Sequence, residues 1–349
     1  MKKYRKTIHN SLIRLLNTAN GFPLNLFVKN YGLIFMLHRV RPKSLCTRLP
    51  INESLEIRPD QLEELIIYLK ESNFDLISLD DLSEIIKKGM IKQNFVVFTL
   101  DDGYYDNLQF AYPVFKKHKT PFTIYVANSF INRNANMWWY ELEETILNNN
   151  SLTVNLRNID EKVGIDLKTS SEKQRGFVLV RKLWLEKRII SIEQPDHLPL
   201  DYPVRLDDDL YKTLSWEDLK NLSNDPLVTI GAHTMNHLPL SSLNENDLKY
   251  EINTSVNEIE RVIQKKVKHF SYPYGGEDEA SSREYAFVKE LPYIETATTS
   301  ISGFVSLSKQ IDNSFIYKLP RMFISNQTKK ENYSALINGS QLIIERFIK

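Results

Sequence analysis

One cysteine, Cys46, occurs in 349 residues. A single thiol excludes an internal disulfide and any cysteine-based metal cluster. Net charge is nearly absent too, since 45 Lys and Arg stand against 44 Asp and Glu. That balance gives no bulk attraction to nucleic acid, and aromatic and basic residues do not interleave as in a single-strand binder. No apolar run approaches the roughly 20 residues needed to span a bilayer. The N-terminus carries the cations of a secretory leader in Lys2, Lys3, Arg5 and Lys6, but His9, Asn10, Ser11 and Arg14 stand where its apolar core should be. The expectation is a cytoplasmic protein with no nucleic-acid partner. Internal repeats and low-complexity segments are also absent.

What is present is the composition of an ordinary globular protein, 42% apolar and 26% charged. Its length suits one large α/β domain with an insertion, or two domains. Residues 1–30 form a basic segment in which Ile8, Leu12, Ile13, Leu15 and Leu16 recur at helical spacing until Gly21-Phe-Pro23 stops the pattern. Such a helix either contacts a membrane surface peripherally or packs on its own domain.

From Leu33 the pattern becomes strand, helices, strand, helix, strand. Leu33–Leu37 runs into His38-Arg39, helices follow at about 58–72 and 79–88, and Phe95–Leu100 runs into Asp101, Asp102 and Gly103. A helix over about 112–119 and a strand over 121–126 come next. Short apolar runs rich in Val and Phe suit strands buried on both faces, and this alternation implies parallel pairing with right-handed crossovers.

Residues from about 130 to 212 interrupt the rhythm. Trp138-Trp139-Tyr140 leads a helix, 151–168 suits a hairpin, and Phe177, Val180, Leu183, Trp184 and Ile190 share a helical face. The pattern resumes with Ser215-Trp-Glu-Asp218, spaced as a capped helix start. It continues through a strand at 227–232 ending at His233, a helix at about 246–264 and a strand end at His269–Gly275. Strands at 293–299 and 315–319, the latter ending in Pro320-Arg321, complete it. A helix near 335–348 closes the chain, so the expected organisation is 1–30, a catalytic unit over 31–330, and 331–349.

Polar residues thus collect at strand ends: His38, Asp101-Asp102, His233 and Arg321. In a β/α barrel all C-terminal strand ends share one face, and sites lie there. Neighbouring side chains in a strand point to opposite sides, so the two aspartates must do different jobs. One can hold a metal while the other faces the reacting group. His233-Thr-Met-Asn-His237 spaces two imidazoles to hold one cation, and with a strand-end aspartate they leave positions open for water and substrate.

Thr99-Leu-Asp-Asp-Gly103, His233-Thr-Met-Asn-His237 and Tyr272-Pro-Tyr-Gly275, in this order, resemble the first three motifs of the polysaccharide deacetylase superfamily, the family 4 carbohydrate esterases. The resemblance covers roughly 31–325 outside the insertion. It implies a distorted TIM-like (β/α) barrel of seven or eight parallel strands with an inserted subdomain, and metal-dependent removal of N-acetyl groups from an amino sugar in a polysaccharide, oligosaccharide or activated precursor. By it, Asp102, His233 and His237 bind one divalent ion, zinc or another first-row metal. Asp101 is the general base, and the backbone N–H of Tyr274 helps stabilise the oxyanion.

Two departures shape the assignment. No histidine follows His269, so the late histidine that serves most members as acid is missing; and Lys268-His-Phe-Ser-Tyr272 lacks their base-orienting arginine. The chain resembles instead the branch typified by poly-N-acetylglucosamine deacetylases, in which an N-terminal strand ends in the acid histidine. His38, in Met36-Leu-His-Arg39, matches that position, and Arg321 is the candidate to orient the base. Tyr272 and Tyr274, with Trp138 and Trp139 stacking on sugar rings, are the expected substrate contacts. His118, His197 and His269 are read as structural. Two rival readings are a catalytically silent carbohydrate-binding protein and an O-acetyl esterase.

Overall fold

The computed structural model describes residues 30–43, 47–89, 91–135, 137–157, 162–186, 189–193, 208–306 and 314–339. The basic N-terminal segment, His197 and most of the expected C-terminal helix lie outside them. The strands, in chain order, are β1 (Gly32–Leu37), β2 (Arg39–Val40), β3 (Glu56–Ile57), β4 (Asp75–Leu76), β5 (Phe95–Leu100), β6 (Phe122–Val126), β7 (Ser151–Leu156), β8 (Lys162–Asp166), β9 (Ile189–Glu193), β10 (Val228–Ala232), β11 (His269–Ser271), β12 (Thr296–Thr298) and β13 (Met322–Phe323).

Eight of them form one sheet in the order β12-β11-β10-β6-β5-β1-β13, with β4 against the start of β5. Every pairing in it is parallel. Leu319 bridges Thr298 of β12 in parallel, and three residues later Met322 pairs with Phe35 of β1. The short run 319–323 therefore ties one edge of the sheet to the other, and the sheet curls into a distorted barrel. The expected strand at 315–319 is instead a 3₁₀ turn over Phe315–Tyr317 followed by β13. Pro320 has no N–H to continue a ladder, which leaves only short pairings on either side of it.

β1 and β5 are buried at every position because both their faces are covered. Leu33, Phe35 and Leu37 of β1 and Val96, Phe98 and Leu100 of β5 pack outward with Leu62, Leu65, Ile66 and Leu69 of the helix Pro59–Glu71. The alternate residues Ile34, Phe95 and Val97, with Tyr125, Val305 and Leu319, form a separate apolar cluster. Two-residue periodicity carries that inner face on to Met36 and His38 in one strand and to Thr99 and Asp101 in the other. The barrel interior thus runs from an apolar floor to a polar mouth.

The inserted subdomain has its own core. An antiparallel sheet β8-β7-β9 packs with the helices Trp138–Asn148 and Ser170–Leu185 through Leu142, Ile146, Leu152, Val154, Phe177 and Val180. Ile190, expected on that second helix, belongs to β9. Buried Glu143 ties the subdomain to the barrel side, accepting from Arg48 Nε at 3.0 Å, the Leu49 amide at 2.5 Å and Asn52 Nδ2 at 2.8 Å. Among the described residues, no helix is long and apolar enough to cross a membrane.

Candidate active site

Asp101 is 3% exposed and faces Arg321, which is 1% exposed. The pair is bidentate: Nη1 donates to Oδ1 at 2.7 Å and Nη2 to Oδ2 at 2.8 Å. Arg321 also donates to Thr99 Oγ1 at 3.1 Å, Ser271 Oγ at 3.0 Å and the Thr299 carbonyl at 2.8 Å. All five guanidinium N–H groups are therefore used. Burial pushes the Asp101 carboxyl up, but the Arg321 charge and the hydrogen bonds it donates outweigh that and hold the group at about 2. Asp101 stays ionised, with its plane set by the guanidinium fork.

An Arg321→Lys variant keeps the charge and loses the fork. We expect kcat to fall on the order of a hundredfold with KM little changed, as when a reacting group is displaced by about 1 Å, and the melting temperature to drop. Steady-state kinetics beside a thermal melt checks both; an unchanged kcat would show that Arg321 serves only the fold.

Asp102 meets a different environment. Its backbone has φ of +79°, which turns it off the strand path. Its Oδ1 is buried without a hydrogen-bond partner and lies 3.3 Å from His237 Nε2 and 3.6 Å from His233 Nε2. His233 Nδ1 sits 2.7 Å from the Ser271 carbonyl, so that nitrogen carries the proton and Nε2 keeps a lone pair aimed inward. Burial lowers the pKa of both histidines and holds them neutral, the form a metal ligand needs. Burial, then the Asp101 charge, raises the Asp102 carboxyl to about 8. One orphaned carboxyl oxygen, which would give up its proton to a cation, and two imidazole lone pairs within 4.8 Å of one another form a donor set that suits a divalent first-row ion.

Strain concentrates here. Asp102, Thr234, His237 and Tyr274 have φ of +79°, +70°, +54° and +60°. Left-handed conformations in non-glycine residues cost on the order of 1–3 kcal/mol each and persist where the surroundings over-determine them. Gly103 and Gly275, at +79° and +59°, carry the turns beside two of these residues without that cost.

The remaining residues line a cavity of about 380 Å³ that also holds Asp101, Asp102, His233 and His237. His38 projects into it from the end of β1, its Nδ1 without a partner. Burial, only partly offset by Asp101, lowers its pKa to about 4. Tyr274 lies with its ring centroid 4.7 Å from that of His237, and its amide takes part in no backbone hydrogen bond among the described residues. Trp138 and Trp139 meet edge to face at 5.8 Å on the rim. Tyr272 borders the cavity but is buried, and its hydroxyl donates to the Tyr317 carbonyl at 2.9 Å. His118 and His269 stand apart from the site, bonded to Glu63 and to Thr296 and Asp80.

Sequence reasoning passed over Thr99, Ser271 and Thr299, which seat Arg321, and Arg181, which enters the cavity from the inserted subdomain. Arg181 had a signal, since it shares a helical face with Phe177 and Trp184 at i, i+4 and i+7. Thr99 had one as well, being a polar residue inside an apolar strand.

Barrel and site together place the protein among the β/α-barrel hydrolases. The chain belongs to the polysaccharide deacetylase family: the family's sequence model matches residues 88–289, from the approach to β5 through the helix Ser282–Lys289. It is thereby a carbohydrate deacetylase. No curated protein sequence matches the chain. Among solved structures, the Streptococcus pyogenes deacetylase PplD in complex with acetate is similar at TM-score 0.56 and 14% identity, covering 86% of this chain and 96% of its own. A de-N-acetylase from Aggregatibacter actinomycetemcomitans is similar at 0.50 and 15%, covering 87% and 99%. IcaB from Ammonifex degensii is similar at 0.51 and 13%, covering 89% and 97%. At these identities the likeness is one of fold.

Proposed function

We propose that the protein is a divalent-metal-dependent N-deacetylase that hydrolyses the acetamido group of an amino sugar, with zinc on Asp102, His233 and His237. The observation that carries this reading is the unequal treatment of two adjacent carboxylates. Asp101 is locked ionised by Arg321, while Asp102 turns a bare oxygen toward two neutral imidazoles. A bound divalent ion supplies Lewis acidity toward the acetyl carbonyl and lowers the pKa of a water.

The chain's own groups do the rest. Asp101 accepts the proton of the attacking water, and its fixed orientation compensates for its weak basicity. The Tyr274 amide donates to the oxyanion. His38 delivers a proton to the departing amine. Burial keeps His38 neutral in the resting pocket, so the proton it delivers is the one Asp101 has taken from the attacking water, passed on within the cavity both line and returning Asp101 to its carboxylate. Tyr272, Trp138 and Trp139 contact the sugar. A histidine on the first barrel strand, with none after His269, supports the poly-N-acetylglucosamine-type branch.

The test is acetate release from matched N-acetylated and O-acetylated sugars by metal-loaded protein. Release from the amide supports the proposal. No release from either, with metal bound, would favour a silent carbohydrate-binding protein. His38→Ala is expected to slow amide hydrolysis by about 100-fold or more, the usual worth of a general acid, and to slow ester hydrolysis far less, because an alkoxide leaves with less help. Equal losses on both substrates would remove His38 as the acid.

A further inference from the structure

The helix Ser170–Leu185 brings a cation to the catalytic mouth. Arg181 lines the same cavity as Asp101 and His233, its guanidinium carbon 5.7 Å from the centroid of the Tyr274 ring. Beyond Trp138, Trp139 and Tyr274, which both spaces share, a second cavity of about 460 Å³ opens, walled by Trp184, Leu185, Ile189 and Leu238. Arg157 lies on its lining. Among the described residues, no carboxylate other than Asp101 and Asp102 lines either cavity.

Half-buried Arg181 therefore faces a cavity whose acids lie against Arg321 and the two histidines, and exposed Arg157 stands on the wall of the neighbouring one. A cation drawn into a partly desolvated cavity is costly unless an anion meets it. The planar guanidinium fork is matched to phosphate oxygens, and its place over the Tyr274 ring, 5.7 Å from the centroid, keeps it beside the catalytic mouth. A neutral N-acetylated polymer offers hydroxyl and amide oxygens to accept hydrogen bonds but no negative charge to meet Arg181. The tryptophan-lined space beyond suits a planar or apolar group.

We propose that the substrate is an N-acetyl sugar bearing a phosphate ester, gripped by Arg181 with Arg157 behind it, whose apolar or planar far portion occupies the tryptophan-lined cavity. Arg181 is then the specificity-determining residue. The inference rests on the deacetylase reading above and narrows it to an activated precursor. A nucleoside diphosphate and a polyprenyl diphosphate share the required chemistry.

Binding to the full-length Asp101→Asn protein, slowed enough in turnover to leave the probes intact during a titration, is read from tryptophan fluorescence. Four probes serve: methyl N-acetyl-β-glucosaminide, N-acetylglucosamine 1-phosphate, and the diphosphate-linked sugar with uridine or with farnesol as its far group. The 1-phosphate is expected to bind about tenfold or more tightly than the neutral glycoside, as one charge-assisted hydrogen-bonded contact is worth, and the preference should shrink as salt rises. Added Arg181→Gln should erase the preference and leave the glycoside unaffected. One of the two diphosphate probes should bind more tightly still, and which one identifies the source. Equal affinities for phosphate and glycoside, equal weakening of both by Arg181→Gln, or no gain from either far group would overturn the proposal. Phosphate-dependent binding without acetate release by the parent protein would instead overturn the deacetylase reading and leave the anion site standing.

Discussion

Replacement of Asp101 by asparagine is expected to cut acetate release by about 100- to 10,000-fold, the range in which a positioned general base contributes. The substitution conserves shape and keeps one oxygen to accept from Arg321, but it cannot take a proton from water. It also sets an amide N–H₂ against a fully buried guanidinium. Removing one partner of a buried ion pair costs about 3–5 kcal/mol, so a lower melting temperature is expected alongside the lost rate. A purely structural role would give the lower melting temperature with kcat restored once the variant is assayed well below its transition. A second control separates the two aspartates: Asp101→Asn should still bind zinc, since its carboxylate belongs to Arg321 and not to the ligand set. Activity within a few-fold of the parent, with the variant folded, would remove Asp101 from the base role.

Chelation should have an effect as large. Dialysis against a chelator is expected to abolish acetate release, and returning one equivalent of a divalent ion to restore it. Stability offers a readout independent of turnover. A ligand that binds only the folded chain stabilises it by about 2.7 kcal/mol at a hundred times its dissociation constant, worth several degrees of melting temperature in a chain of this size. The rise should vanish in His233→Ala and in Asp102→Asn, because each removes one of three converging donors. His269→Asn is the contrasting control. His269 bonds to Thr296 and Asp80, away from the ligand set, so the variant should keep the metal-dependent rise whatever its own melting temperature. Full activity after exhaustive chelation, or a rise that survives loss of His233, would mean that the convergence of these side chains is not a metal site.

Much of the barrel was legible because its strands are short, apolar and set off by amphipathic helices. The run Phe95–Leu100 reads as a doubly buried strand from its residue types alone, and the helix Leu79–Lys88 has the bounds its periodicity implied. The capping box at Ser215 is fully formed, with the hydroxyl accepting from the Asp218 amide and the Asp218 carboxylate accepting from the Ser215 amide. Such features depend on neighbours within one turn or one pleat, where chain connectivity already supplies the geometry. The closure of the barrel was less legible. The strand expected at 315–319 is a 3₁₀ turn over Phe315–Tyr317 with a single bridge at Leu319, and the longer pairing lies at Met322–Phe323, where the partner strand is nearly three hundred residues away in the chain.

The sequence by itself determined that polar residues stand at the ends of apolar strands, that two adjacent aspartates cannot share one task, and that His233 and His237 are spaced to act together. The resemblance of the Thr99–Gly103 motif gave the two aspartates their expected tasks, and the tertiary structure adds the different surroundings of each. The division rests on through-space effects that no local pattern encodes: Thr99, Ser271 and Thr299, from or beside three strands, seat Arg321 against Asp101, while a left-handed backbone turns Asp102 toward the histidines. Burial raises both carboxyls, and the Arg321 guanidinium separates them, to about 2 for Asp101 beside it and about 8 for Asp102, where the Asp101 charge adds to burial. A strand tip writes both residues alike, and desolvation with one well-placed charge makes them opposites.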